Sequence, residues 1–155
     1  MRYLTVLLKF LRSSQKLLLV EAVCWLGLSR LLILFARYPI QTRLLGQQEL
    51  NGKDPELDCP QKAKQIGHIV RLAAKHLPWQ CKCLAQAMAA QSMLRMRNIS
   101  GIVFIGVNKT SNDYKAHAWL KVGDSYLTGG NGFTDYQVID RYSTKFDIAQ
   151  HTSKV

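Results

Sequence analysis

The 155-residue sequence contains no internal repeat and no low-complexity tract, which excludes a repeat array. Hydrophobic residues make up 48% of it, so the chain can bury a substantial core and is not a disordered polypeptide. Its length fits one compact domain with an appended helical arm.

Acidic residues are scarce: 10 Asp and Glu stand against 21 Lys and Arg, a formal net charge of +11. Such a surplus favours contact with an acidic partner, an anionic membrane surface or nucleic acid, and solubility alone is the plain alternative. The basic residues from Lys9 to Arg43 are scattered and do not form a nucleic-acid reader motif. Nucleic acid is therefore not an expected partner.

The four cysteines do not form a disulfide pattern, because Cys81 and Cys83 are too close for an ordinary framework. Cys24 lies in an apolar helical run, where a reduced thiol is usual, so free thiols in a cytoplasmic protein are predicted. A metal site built from Cys59, Cys81, Cys83 and His76 is an alternative. The Cys-x-Cys pair, however, would place two thiolates awkwardly around one tetrahedral ion. We expect no metal and no cofactor.

A long apolar stretch, residues 17–36, has no small-residue cleavage site after a short apolar core, so it does not read as a signal peptide. A membrane-spanning helix would bury Glu21 and Arg30 in lipid at high cost. The stretch is interpreted as a helix buried in protein. Peripheral contact with a membrane or with a partner surface is the alternative.

The chain divides into an N-terminal helical arm (residues 1–45), a linker loop (46–60) and a core (61–155). The linker is marked by the turn and breaker pairs Asn51-Gly52, Asp54-Pro55 and Cys59-Pro60.

Within the core, helical spacing and strand-like runs predict two helices followed by an antiparallel meander. The predicted helices are 61–77 and 83–97, and the predicted strands are 102–107, 116–122, 125–128 and 136–139. This order indicates an α+β fold in which the helix that begins at Cys83 packs on the sheet that carries His117.

Cys83 and His117 are the candidate catalytic pair. A cysteine at a helix N-terminus has a stabilised thiolate, and a histidine on a neighbouring strand can take the thiol proton and later protonate a leaving amine. Trp119, two residues along the same strand face, is a candidate wall of the substrate cleft. The Cys83 backbone N–H and the Gln80 side chain are candidate oxyanion donors.

These residues resemble a known family. The segments Trp79-Gln80-Cys81-Lys82-Cys83-Leu84-Ala85, Ile105-Gly106-Val107 and Ala116-His117-Ala118-Trp119-Leu120 resemble the bacterial lasso-peptide maturation peptidases, also known as microcin-processing proteins, which have a papain-like, transglutaminase-like core. The resemblance covers residue 61 to the C-terminus, and the leucine-rich arm is also similar to that family's.

The resemblance implies a cysteine peptidase that releases the leader from the core of a ribosomal precursor peptide. Its implied partners are the precursor, a separate leader-binding protein and an ATP-dependent cyclase that closes the lasso. Because no added leader-binding domain is evident, the chain resembles the stand-alone peptidase half of a split system.

The family pattern also has an Asp at the end of the strand after the Ala-His-Ala-Trp strand, and here that position corresponds to Gly129. Asp124, Asn131 and Asp135 are candidate replacements, and a Cys–His dyad without a third member stays open. Two other functions also stay open: a non-catalytic peptide-binding protein, and acyl transfer to an amine. The resemblance favours water as the acceptor.

Overall fold

The computed structural model describes residues 14–36, 38–49, 59–110 and 113–144. Its helices are α1 (Ser14–Phe35), α2 (Tyr38–Leu45), α3 (Gln61–His76) and α4 (Cys83–Arg95). Its strands are β1 (Gln47–Gln48), β2 (Ile102–Thr110), β3 (Asp113–Val122), β4 (Ser125–Thr128) and β5 (Gln137–Ser143), and a short 3-10 turn, Phe133–Asp135, precedes β5. The fold is α+β, as predicted.

Helix α4 is the centre of the molecule. Its residues are mostly Ala, Leu, Met and Gln, which favour helix, and the small alanines let neighbouring elements approach closely. Buried residues lie on all its faces from Ala85 to Leu94 because α1, α2 and α3 cover it on one side and the sheet covers the other. Such a helix supplies the core rather than a surface.

The sheet has the strand order β1-β5-β2-β3-β4, and each neighbouring pair is antiparallel. Strands β2 and β3 pair in one register, from Ile102 opposite Lys121 to Thr110 opposite Asp113. Strand β5 lies between β1 and β2, so it is an inner strand. Val103, Ala118 and Leu120 point from the sheet into the helical core.

The predicted core helices and strands are confirmed, with two differences. The predicted loop 46–60 contains β1, because Gln47 and Gln48 pair with β5. The segment between the predicted strands 102–107 and 116–122 is mostly strand, because Lys109 and Thr110 still pair with Tyr114 and Asp113. Residues 111–112 and most of the linker (50–58) lie outside the described residues.

Helix α1, from the predicted arm, shares one apolar cluster with α3 and α4 through Leu18, Ala22 and Leu26. Residues 15–35 are long and apolar enough to cross a membrane by length and composition alone, and 22% of that candidate span is buried within the protein. The arm therefore contributes to the main core, and the boundary placed at residue 45 stays a prediction.

Candidate active site

Cys83 is the first residue of α4. Lys82, at the N-cap, makes no side-chain capping hydrogen bond, and the first turn contains no acidic residue. Backbone N–H groups of this turn are thus left uncapped by side chains, and Cys83 lies beside them at the positive end of the helix dipole. The Cys83 side chain is partly buried against the core cluster.

Cys81 differs from Cys83 although it lies two residues away. Its side chain is buried in the core cluster, and burial raises the pKa of the Cys81 thiol, against the opposing effects of a Trp79 hydrogen bond and the Arg30 charge. Its carbonyl accepts a hydrogen bond of 2.8 Å from Gln86 Nε2, which ties the loop to α4. Cys81 is therefore the structural thiol of the pair, and Cys83 is the candidate nucleophile.

The chain connects α4 to His117 through β2. Gly101, just before β2, approaches Gln91 and Leu94 in the second half of α4. From Gly101 to Gly106, which pairs with His117, five residues of extended chain span about 17 Å. The 13 residues of α4 span about 20 Å. If β2 runs back along α4, His117 reaches the end of the helix that begins with Cys83.

Alternation along β3 turns Ala118 and Leu120 toward the helices and places His117 and Trp119 on the other face of the strand. There the His117 ring lies between two aromatic rings. The Trp119 ring centroid is 5.9 Å from it and the Tyr136 centroid is 5.1 Å. Gly106 makes room for both, since a side-chain carbon there would lie 2.9 Å from Trp119 and from Tyr136.

The Nε2 atom of His117 lies 2.8 Å from the Gly129 carbonyl oxygen. A carbonyl can only accept, so Nε2 carries the proton, and in the neutral ring Nδ1 holds the free lone pair. Gly129 has φ +67°, and a Cβ there would lie 2.3 Å from the Ala118 carbonyl oxygen. No side chain fits at this position, so the group that orients His117 is the main chain of Gly129.

The three candidate side chains for a third catalytic member are exposed, whereas His117 is half-buried. Asp124 lies in the exposed β3–β4 turn, Asn131 is exposed, and Asp135 is exposed at the end of the 3-10 turn. In the part of the chain that the structure describes, none of them hydrogen bonds to the His117 ring.

Other predicted site residues fall in different surroundings. Gln80 is exposed in the loop before α4. Trp119 is only 3% exposed, because its ring packs on Phe104 and Phe133, so it supports the His117 ring from within the protein rather than forming an open cleft wall.

Over the described ranges, no hydrogen bond joins the Cys83 sulfur to His117. No group of three or more metal-binding side chains occurs among those same residues.

Two features of the site were not found from the sequence. Tyr136 was predicted only as the start of a strand, although its ring packs on His117. The Gly129 carbonyl was missed because a main-chain acceptor leaves no side-chain motif. The one signal in the sequence for a main-chain acceptor was that Gly129 stands where the resemblance leads one to expect an Asp.

The family model of the transglutaminase-like superfamily matches residues 24–141, which is well over half of the sequence. The chain therefore belongs to this superfamily. Members of this superfamily are generally cysteine-dependent peptidases or acyl transferases. No curated protein and no solved structure matches the chain.

Proposed function

We propose that the protein is a cysteine peptidase in which Cys83 is the nucleophile and His117 is the acid and base. The observation that carries this proposal is the hydrogen bond from His117 Nε2 to the Gly129 carbonyl, which leaves Nδ1 free as a base, and a cysteine at an uncapped helix N-terminus supports it. Membership of the transglutaminase-like superfamily supports the same class of chemistry.

In the proposed reaction, His117 Nδ1 takes the Cys83 thiol proton and the thiolate attacks a peptide carbonyl carbon. The tetrahedral oxyanion is stabilised by the Cys83 backbone N–H at the start of α4, with Gln80 as a second donor. Protonated His117 then gives its proton to the leaving amine, which leaves a Cys83 thioester. Water, deprotonated by His117, hydrolyses the thioester to a carboxylic acid and restores the thiol.

The Cys83–His117 hydrogen bond is proposed to form when the peptide is bound. Catalytic hydrogen bonds are often long or poorly aligned before substrate arrives and tighten in the complex. His117 is half-buried beside Trp119 and Tyr136, on the strand face opposite Ala118 and Leu120, so the proposal requires the chain near the first turn of α4 to approach that face when the peptide binds.

For the substrate, we propose a ribosomal precursor peptide of the lasso class, cut between leader and core. The support is the motif resemblance around Cys83 and His117. A separate leader-binding protein would present the precursor, and an ATP-dependent cyclase would use the new core N-terminus. All four cysteines are free thiols, which suits work in the reducing cytoplasm.

The test is mass spectrometry of the precursor encoded beside this gene, incubated with the leader-binding protein and this protein. Leader and core fragments are expected with the wild type and with Cys81→Ala, the matched thiol control. Cys83→Ala should form neither fragment, and His117→Ala should slow cleavage by about 10²- to 10⁴-fold.

Three outcomes would contradict the proposal. Cleavage by Cys83→Ala would remove the nucleophile assignment. An uncut precursor in a demonstrated complex would favour the non-catalytic peptide binder. A product in which an added primary amine forms an amide at the new C-terminus, in place of the free carboxylic acid, would favour acyl transfer. The amine, and not water, would then have attacked the Cys83 thioester.

A further inference from the structure

The charged residues in the middle of α1 are turned toward the protein. Glu21, the acidic residue of this helix, forms a two-pronged ion pair with Arg97 after α4, with N–O distances of 2.8 and 2.6 Å. Arg30 is half-buried, and its charge acts on the buried Cys81 thiol. If α1 contacts lipid only through its opposite face, Glu21 and Arg30 stay within the protein, and the free-energy cost of burying their charges in lipid does not arise.

That opposite face is apolar along the whole helix. Its exposed residues, here called the outer stripe, are Leu17, Val20, Cys24, Leu28, Leu31, Leu34 and Phe35. They recur every three or four residues, so they line one side of α1, and Phe35 is 82% exposed. An apolar stripe of this length on a protein surface marks an interaction site.

Helix α3, which packs beside α1, carries basic side chains. It has no acidic residue and exposes Lys62, Lys64 and Lys75. A groove of about 280 Å³ between the two helices combines apolar and polar or basic side chains: Gln15, Lys16, Leu19, Gln65, His68, Ile69 and Leu72. The sequence before α1 contains Arg2, Lys9 and Arg12 and no acidic residue.

We propose that the outer stripe binds the surface of a bilayer that contains anionic lipids, with α1 lying in the plane of the membrane. Lysines beside an apolar helix face suit anionic headgroups above acyl chains, and the net charge of +11 gives the same preference. A protein partner would be expected to meet a rim of mixed polar character, whereas α3 beside α1 carries basic and no acidic residues. Insertion across the bilayer would require α1 to leave its packing against α3 and α4.

The test is sedimentation of the full chain with vesicles of phosphatidylcholine alone or with phosphatidylglycerol added. Leu31→Glu, at a position 55% exposed in the outer stripe, is compared with Ile139→Glu, which is 50% exposed on β5 and changes the charge equally. Circular dichroism verifies that both variants are folded.

The wild type and Ile139→Glu should bind the anionic vesicles, more weakly at high salt because the lysines are screened. Leu31→Glu should lower the partition coefficient at least about tenfold, since it loses the burial of a leucine and adds a repelled charge. Absence of binding to anionic vesicles, or equal losses in both variants, would overturn the proposal. So would a dimer that Leu31→Glu dissociates without any vesicle binding, because the stripe would then meet a second copy.

Discussion

At His117 the chain uses a main-chain carbonyl as the acceptor for Nε2. A carbonyl orients the ring and fixes its tautomer as a carboxylate would, but it carries no full negative charge. It therefore stabilises a protonated imidazole less than an aspartate does.

Gly129→Ala should be far more damaging than Gly132→Ala. Both glycines have positive φ, at +67° and +74°, so each alanine costs about 1–2 kcal/mol of folding free energy. Only Gly129 adds a steric clash, at 2.3 Å from the Ala118 oxygen, whereas nothing lies within 4 Å at Gly132. We expect a further loss of about 1–3 kcal/mol for Gly129→Ala, measured by urea unfolding.

A second measurement ties this prediction to the site. The nuclear magnetic resonance chemical shifts of the His117 ring nitrogens should change in Gly129→Ala and stay as in the wild type in Gly132→Ala, because only the first displaces the carbonyl bonded to Nε2. Equal unfolding free energies and equal ring chemical shifts in the two variants would show that the Gly129 position is not constrained.

Cys81 gives a pH-dependent prediction. Burial raises the pKa of its thiol above 9.0, so below that pH the thiol is neutral in both the folded and unfolded states. As pH rises through 9.0, the unfolded chain ionises first, and the free energy of unfolding falls until the folded thiol ionises as well. Cys81→Ala should show a shallower fall from neutral pH to about pH 10 in urea unfolding. Identical slopes would argue against a buried neutral thiol.

Among the elements, α1 presents two unlike faces at positions only two residues apart in sequence. Leu26 is fully buried in the core cluster, while Leu28 is exposed on the outer stripe. Because the inner face packs on α3 and α4, the arm stabilises the same core that holds the site.

The matched pair Leu26→Ala and Leu28→Ala measures this difference. Leu26→Ala should lower the free energy of unfolding by about 2–5 kcal/mol, because it leaves a cavity among packed side chains. Leu28→Ala should change it by no more than about 0.5 kcal/mol. Urea unfolding followed by circular dichroism gives both values, and similar costs would mean that α1 is not docked as described.

At the scale of the whole molecule, patterning in the sequence predicted the α+β order because each element carries its own local signal. Alanine-rich composition predicts α4, and the β-branched run at 102–107 predicts β2. Alternation on β3 placed His117 and Trp119 on one face of the strand, and the helix-start signals placed Cys83 at the beginning of α4.

The remaining features depend on partners distant in sequence. Gln47 and Gln48 have no strand-like character and form β1 only because β5 offers its edge. The Gly129 carbonyl meets His117 only after β3 and β4 have paired. Gln91 donates to the Leu45 and Gly101 carbonyls and to Thr144 Oγ1, so one buried amide joins three segments that no local pattern connects.

The position of β5 inside the sheet also fixes the order in which the protein can be completed on the ribosome. The edge of β2 that receives β5 is made about thirty residues earlier than β5 itself, and until then it has exposed backbone N–H and C=O groups. A nascent chain halted before residue 137 would display this open edge next to an apolar helical core. Translation pauses in that interval would therefore be the moments when the protein is most exposed to aggregation and to chaperone capture.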